Sequence, residues 1–251
     1  MRPEILFPLF APVATLKGVG PKLLPLVERA AGPLVRDLVF LPPSAVVERR
    51  LSTTDQAQDG QTVTLVVRIV EHQPARGRRP GVIKAADEAG FVSLIWFKGY
   101  GPHLERAHPV GAVRVVSGKV ERFRQVELQM PHPDYMVAPD QAQEVPARET
   151  VYPTTAGLPS RTLRKFVLEA LERAPVLPEW QDPAWRARND WPDWREALEK
   201  LHASEDAAAL TPGAAERRRL AYDELLAHQL ALARRKSERK AEPARRIAHA
   251  E

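Results

Sequence analysis

The segment 91–130 constrains the fold most, because it begins with strand-like alternation that ends in a crowded aromatic group. In FVSLIWF, residues 91–97, side chains alternate with the period of two that is typical of a strand. The aromatic residues at its end, here called the aromatic tip, are Trp96, Phe97 and Tyr100. Large rings normally seek burial, yet these are interleaved with Lys98, Gly99 and Gly101. We interpret the tip as a presented surface that stacks on unpaired bases. The alternative is an ordinary strand running into a loop.

The segments around the tip predict a small β-barrel over residues 60–138. Strand-like patterns fall on five segments: 61–70, 81–86, 91–97, 112–120 and 125–130. A weak helical pattern at 101–107 separates the third from the fourth. Five short strands with a helical element at that position are typical of an OB-fold. The pattern determines the number of strands better than their topology.

Basic residues concentrate beside the predicted strands. The first connecting loop contains Arg76, Arg78 and Arg79, and the fourth hairpin contains Lys119, Arg122 and Arg124. Either group alone could be a solvated run of charge. Two groups that flank one aromatic tip favour nucleic acid, with these six residues and Lys98 as predicted phosphate contacts.

The N-terminal segment 13–42 predicts two short helices around a glycine hairpin. Its sequence LKGVGPK resembles a helix-hairpin-helix, with Gly18 and Gly20 at the turn and Lys17 and Lys22 beside it. Exposed amides at such a turn can bind phosphate. A hairpin that only packs two helices explains the pattern equally well.

The remainder of the chain predicts helices. Residues 139–150 are polar and aperiodic, as in a linker. Ser160 is a candidate cap for a helix whose apolar stripe comprises Leu163, Phe166, Val167, Ala170 and Leu171. Asp193 begins a further helix with a capping-box-like pattern. We predict an α+β chain with an N-terminal helical segment (1–59), an OB-fold domain (60–138), a linker with short helices (139–213) and a long helix (214–251).

The long helix carries a broad apolar stripe: Tyr222, Leu225, Leu226, Leu230 and Ala233. Glu224 and His228 are four residues apart and could share a metal, but no third ligand follows at a suitable spacing. Pairing on the helix surface is therefore the better interpretation. We predict no metal site.

Composition restricts the cellular setting. The sequence has 37 basic and 32 acidic side chains, a net charge of +5, and no cysteine. Prolines interrupt the N-terminus where a signal peptide would be helical, and no apolar run approaches the ~20 residues that span a bilayer. We expect a cytoplasmic, monomeric protein without a membrane partner.

Several motifs in order resemble the N-terminal region of the RecG family of branched-DNA helicases. They are LKGVGPKL, VRDLVFLPP, SGKVERF with LQMPHPDY, VYPTTAGLPSRTLRK, EALEKLH and RLAYDELLAHQLALARR, together covering about residues 7–236. The resemblance implies that the OB-fold is a wedge domain at DNA forks and Holliday junctions, in recombination and repair. It implies that Phe97 and Tyr100 are the wedge aromatics, with Trp96 at a position often aromatic. The segment PPSAVVERR, 42–50, departs from the family pattern.

The resemblance also implies that a motor follows residue 251 and that ATP and magnesium belong to it. The sequence contains no G-x-x-x-x-G-K-[ST] motif, so we predict that this chain is not itself an enzyme and needs no cofactor. Its predicted partners are branched DNA and the helicase motor. The alternatives are a stand-alone, sequence-tolerant single-strand binder and a protein-interaction adaptor.

Overall fold

A computed structural model describes residues 3–124, 126–153, 155–203 and 207–241. The chain divides into two compact units. The barrel unit is Val47–Glu149, and the helical unit combines Met1–Val46 with Thr150–Glu251. Each unit has its own hydrophobic core. The boundaries expected at 60 and 138 both lie within the barrel unit.

Seven α-helices and ten strands are formed by the described residues. The helices are α1 (Leu24–Ala30), α2 (Val35–Val39), α3 (Pro102–Ala107), α4 (Ser160–Glu172), α5 (Pro183–Asn189), α6 (Trp194–His202) and α7 (Ala215–Ala241). The strands are β1 (Ala45–Glu48), β2 (Arg50–Leu51), β3 (Thr62–Gln73), β4 (Gly81–Ala86), β5 (Phe91–Trp96), β6 (Val113–Lys119), β7 (Glu121–Phe123), β8 (Glu127–Pro131), β9 (Tyr135–Val137) and β10 (Arg148–Val151). Short 3₁₀ helices span Glu4–Phe10, Val13–Thr15, Pro139–Glu144 and Ala207–Leu210.

The sheet of the barrel unit has the strand arrangement of an OB-fold. Its order is β7-β8-β5-β4-β3-β6-β9, and β2 pairs with the start of β3. Strands β3, β4 and β5 form an antiparallel meander, whereas β5 and β8 run parallel. Only Val120 separates β6 from β7 in the chain, so the sheet curls back on itself. Helix α3 lies between β5 and β6, as expected, and the predicted α+β OB-fold is confirmed.

The barrel core follows the strand alternation. On β3 the residues Val63, Leu65, Val67 and Ile69 are buried, while Val66 and Val70 are exposed. Strand β5 differs, because residues 92–95 are all buried. It is an interior strand that pairs with β4 and β8 at its two edges, and its buried Ser93 hydroxyl donates to Glu127 Oε1 at 2.7 Å.

The core of the helical unit joins the N-terminal segment to α4. The five residues of the predicted α4 stripe are all buried, together with Leu16, Val27 and Leu38. The expectation that Ser160 caps α4 is wrong. Its hydroxyl accepts a hydrogen bond from the Tyr152 backbone N–H at 2.9 Å, and Pro159 occupies the N-cap position. The predicted cap at Asp193 is present, because its carboxylate accepts from the Glu196 N–H at 2.8 Å.

Helix α7 packs through its first turns. Arg219 is fully buried, and the Tyr222 ring lies 5.0 Å from that of Trp191. The expected apolar stripe continues into exposed residues, since Leu225 is 65% exposed and Leu230 is 61% exposed. Across the described residues, no helix combines the length and apolar character needed to cross a membrane.

Candidate nucleic-acid interface

The aromatic tip lies where β5 ends. Strand β5 stops at Trp96, and Gly99 adopts a φ of +83°, a left-handed conformation that glycine adopts readily and that turns the chain after the strand. Phe97 is 65% exposed, and its ring lies 5.6 Å from the imidazole of His132. Lys98 beside it is exposed. Phe97 is therefore the member of the tip that presents an open aromatic surface.

Trp96 and Tyr100 face the barrel. Both rings are half-buried, pack against the barrel core and meet edge to face at 6.2 Å. The Tyr100 hydroxyl lies 2.9 Å from His72 Nδ1 and 3.4 Å from Glu105 Oε1. Burial and the Glu105 charge raise the pKa of Tyr100 to about 12. This corrects the expectation that Tyr100 is presented to solvent: a glycine-rich sequence around a ring does not show which way the ring turns.

The basic loop, residues 74–80, lies at the same end of the barrel as Phe97. The backbones of Arg76 and Arg79 exchange hydrogen bonds of 3.2 and 2.9 Å, which closes a tight turn with Gly77 at a φ of +58°. Gly81, which follows the loop, pairs with Trp96. The three arginine side chains, including that of Arg78, are exposed. In the described part of the chain, none of these side chains has an ion-pair partner.

The second basic group lies elsewhere on the barrel. Lys119 pairs with Thr62 at the start of β3, whereas Gln73 at the other end of β3 pairs beside the tip. The β7–β8 hairpin adjoins the start of β5, because β8 runs parallel to β5 with Gln129 opposite Ser93. The interpretation that two basic groups flank the tip therefore holds for the basic loop only.

Two arginines of the β7 hairpin are engaged locally. The Arg122 guanidinium donates to the carbonyls of Ala57 at 3.1 Å and Thr54 at 3.5 Å. The Arg124 guanidinium is exposed and lies 5.2 Å from the centre of the Phe123 ring. Arg122 thus anchors the hairpin to the 54–57 segment instead of facing a ligand.

At the glycine hairpin near the N-terminus, a carboxylate of the same chain binds the backbone amide of Lys17. The Lys17 backbone N–H donates to both carboxylate oxygens of Glu169, each at 2.9 Å. Gly18 has a φ of +88°, and a Cβ there would lie 3.6 Å from the Phe166 ring. The side chains of Lys17 and Lys22 are exposed, and a Cβ at Gly20 would meet no atom within 4 Å. Because this carboxylate binds the amide that a phosphate would contact, the structure favours a hairpin that only packs two helices.

Several residues around the tip carried no signal in the sequence. The Phe97 backbone N–H donates to His132 Nε2 at 3.3 Å. His72 lies 2.7 Å from the His108 carbonyl through Nε2, which fixes that nitrogen as the donor. Burial, the Arg114 charge and the neighbouring His72 lower the pKa of His108 to about 4. These contacts join residues 28 to 36 positions apart, beyond the reach of local patterns.

No cluster of three or more potential metal ligands occurs among the described residues. Glu224 and His228 are both exposed on α7. The site therefore consists of one exposed aromatic ring with cations beside it. By its fold the chain belongs to the class of OB-fold barrels, and the site lies among the loops at one end of the barrel, where proteins of this fold bind their ligands.

The particular similarity is to RecG. The chain is 29% identical over 232 residues to the ATP-dependent DNA helicase RecG of Acidithiobacillus ferridurans, across 88% of this chain and 32% of that protein. The identity is 27% over 237 residues for the same helicase of Bacillus subtilis, across 90% and 33%. The chain thus spans about a third of these curated relatives, in agreement with an N-terminal RecG region. No family model matches the sequence.

The fold is likewise similar to a solved structure of RecG bound to a three-way DNA junction. The TM-score is 0.67 at 20% identity, and the match covers 92% of this chain and 32% of that one. At this identity the comparison establishes the fold alone.

Proposed function

We propose that this chain binds branched DNA as the wedge region of a RecG-like, ATP-dependent helicase of recombination and repair. Replication forks and Holliday junctions are the substrates. ATP hydrolysis and its magnesium ion belong to motor domains outside these 251 residues, and the chain itself contributes no catalytic group. It acts in the cytoplasm.

One observation carries the proposal. Phe97 is 65% exposed, and the basic loop lies at the same end of the barrel because Gly81 pairs with Trp96. An open ring beside unpaired cations offers the two contacts that unpaired nucleotides use, base stacking and phosphate attraction. The arginines hold the backbone without reading sequence.

The energies set what such a tip can do. Opening a base-pair step costs about 1.4 kcal/mol of stacking, and stacking on an aromatic side chain returns roughly 1–3 kcal/mol. Phe97 can therefore hold open the first pair at a junction. It cannot unwind further pairs without a motor.

The comparisons support this proposal without testing it. The curated relatives are named as ATP-dependent DNA helicases, and the RecG of the solved structure is bound to a three-way DNA junction. Both statements concern those proteins. The proposal extends them to this chain because its exposed ring and cations lie together.

The test compares forked DNA with duplex of equal length by fluorescence anisotropy. We expect tighter binding of the fork, since stacking is gained only where bases are unpaired. Comparable affinities for the two DNAs would contradict the proposal. A single strand serves as a third ligand, and a preference for it over the fork would support a stand-alone single-strand binder.

A salt series tests the basic loop. Replacing Arg76, Arg78 and Arg79 with glutamine should reduce the slope of log K against log salt by about 0.9 for each lost phosphate contact, so by up to about 2.7. The matched control removes the same charge from α7 through Arg234, Arg235 and Lys236. Equal effects of the two triple variants would show that net charge alone matters.

One observation favours a protein-interaction adaptor as a second candidate. Leu225, Leu230 and Leu232 are 65%, 61% and 47% exposed on α7. Exposed apolar side chains can become buried against another polypeptide. Capture of a defined partner that survives nuclease treatment and is lost on replacing these leucines with glutamine would support it.

A further inference from the structure

Tyr100 is built into the barrel more firmly than a base-stacking residue requires. Its ring lies directly on the Gly81 backbone, where a Cβ would come within 2.2–2.5 Å of the Tyr100 Cγ, Cδ2 and Cβ atoms. Only glycine at position 81 allows this approach. The ring is thereby seated on the first residue of β4, next to the basic loop.

The Tyr100 hydroxyl contacts residues of two elements, β3 and α3. His72 on β3 donates through Nε2 to the His108 carbonyl at the end of α3, so its Nδ1 is left as an acceptor. Tyr100 Oη lies 2.9 Å from that Nδ1 and donates to it. Glu105 on α3 lies 3.4 Å from the same hydroxyl. The loop that carries Phe97 is therefore tied to β3, β4 and α3.

Phe97 is held from both sides as a result. Before it, Trp96 is fixed by strand pairing with Gly81 and by its edge contact with Tyr100 at 6.2 Å. After it, the chain turns at Gly99 and returns to the Tyr100 ring. A ring held in advance in its binding position loses less conformational freedom when it stacks.

We propose that Tyr100 is a positioning residue: its hydroxyl, through His72, holds Phe97 in the orientation that stacks on the junction base. This rests on the proposed function. Phe97 then stacks on the base and Tyr100 holds Phe97 in place, so the effects of replacing the two residues should not add.

The test is a double-mutant cycle on fork binding with Tyr100→Phe and Phe97→Ala. Tyr100→Phe keeps the ring and removes the hydroxyl, and we expect fork affinity to fall roughly 3- to 10-fold, the effect of one hydrogen bond. The double variant should bind no more weakly than Phe97→Ala, because the Tyr100 hydroxyl then has no Phe97 ring to position. The salt slope should stay unchanged, since no phosphate contact is removed.

The helical unit supplies a matched control. Tyr152 Oη lies 2.9 Å from His202 Nδ1, and His202 Nε2 lies 2.8 Å from the Val39 carbonyl, the same chemical arrangement. Tyr152→Phe should leave fork affinity unchanged. A loss equal to that of Tyr100→Phe would mean that general loosening causes both effects.

A second pair of variants applies if Tyr100→Phe fails to fold. His72→Gln places its amide where the imidazole Nε2 lies, near the His108 carbonyl, and has no polar atom at the δ position that Tyr100 contacts. His72→Asn places its Oδ1 acceptor at that δ position. We expect His72→Gln to weaken fork binding and His72→Asn to retain most of it.

The outcomes separate the two proposals. Wild-type fork affinity in Tyr100→Phe, or effects of Tyr100→Phe and Phe97→Ala that add, would overturn the positioning role and leave the proposed function intact. Comparable affinities of the unmodified chain for fork and duplex would overturn the proposed function, whatever Tyr100 does.

Discussion

Replacing Phe97 with alanine tests the centre of the proposed site, and the chain contains a matched control on the same strand. Phe91 is 69% exposed at the start of β5, and Phe97 is 65% exposed just after its end. At about 3.3 Å per residue, the backbone positions of the two residues are roughly 20 Å apart along the strand. Only Phe97 shares its end of the barrel with the basic loop.

The effect on stability should be small and similar for both variants. With 65% of Phe97 exposed, about a third of the 150–250 Å² that an aromatic ring can bury is in contact, roughly 50–90 Å². At about 25 cal/mol per Å², the loss is at most about 2 kcal/mol, because extended-chain areas are upper limits. Urea unfolding of Phe97→Ala and Phe91→Ala measures it.

The two variants, Phe97→Ala and Phe91→Ala, should differ in their affinity for forked DNA. Loss of one stacked base is worth roughly 1–3 kcal/mol, so Phe97→Ala should bind forks about 5- to 150-fold more weakly. Phe91→Ala should bind forks like the wild type, and both should bind plain duplex normally. Anisotropy titrations at one fixed salt concentration decide the matter. If the two variants lose fork affinity equally, or Phe97→Ala loses none, the assignment of stacking to the tip is refuted.

Three further predictions follow from the same structure and sequence. The purified chain should show no DNA-stimulated ATP hydrolysis, since the sequence lacks a phosphate-cradling loop; turnover that persists after removal of contaminants would contradict this. Because burial, Arg114 and His72 lower the pKa of His108 to about 4, the unfolded chain binds more protons below about pH 6.5. Stability should therefore fall as the pH drops from 6.5 toward 4, and His108→Asn should reduce that dependence in urea unfolding; identical pH profiles would count against it. Arg122→Gln should destabilise the chain by roughly 1–3 kcal/mol, because two carbonyls in the 54–57 segment lose their donor. The slope of log K against log salt for fork binding should stay unchanged. A flatter slope would show that Arg122 contacts a phosphate.

Local patterns in the sequence were sufficient for most elements. The β4 segment 81–86 was predicted with its observed bounds, and the α4 stripe is buried as expected. The cap at Asp193 is likewise encoded within four residues. These features depend on neighbours close in the chain, so periodicity and capping chemistry determine them. The order of the motifs also indicated the RecG-like region.

Only the tertiary structure decided how the candidate site is assembled. The pairing of Gly81 with Trp96 brings the basic loop to Phe97, and the parallel pairing of β8 with β5 takes the β7 hairpin away from it. Tyr100 turns inward, where His72, 28 positions earlier, accepts a hydrogen bond from its hydroxyl. Such contacts depend on strand register and core packing between distant segments, and residue types within a short window contain no information about either.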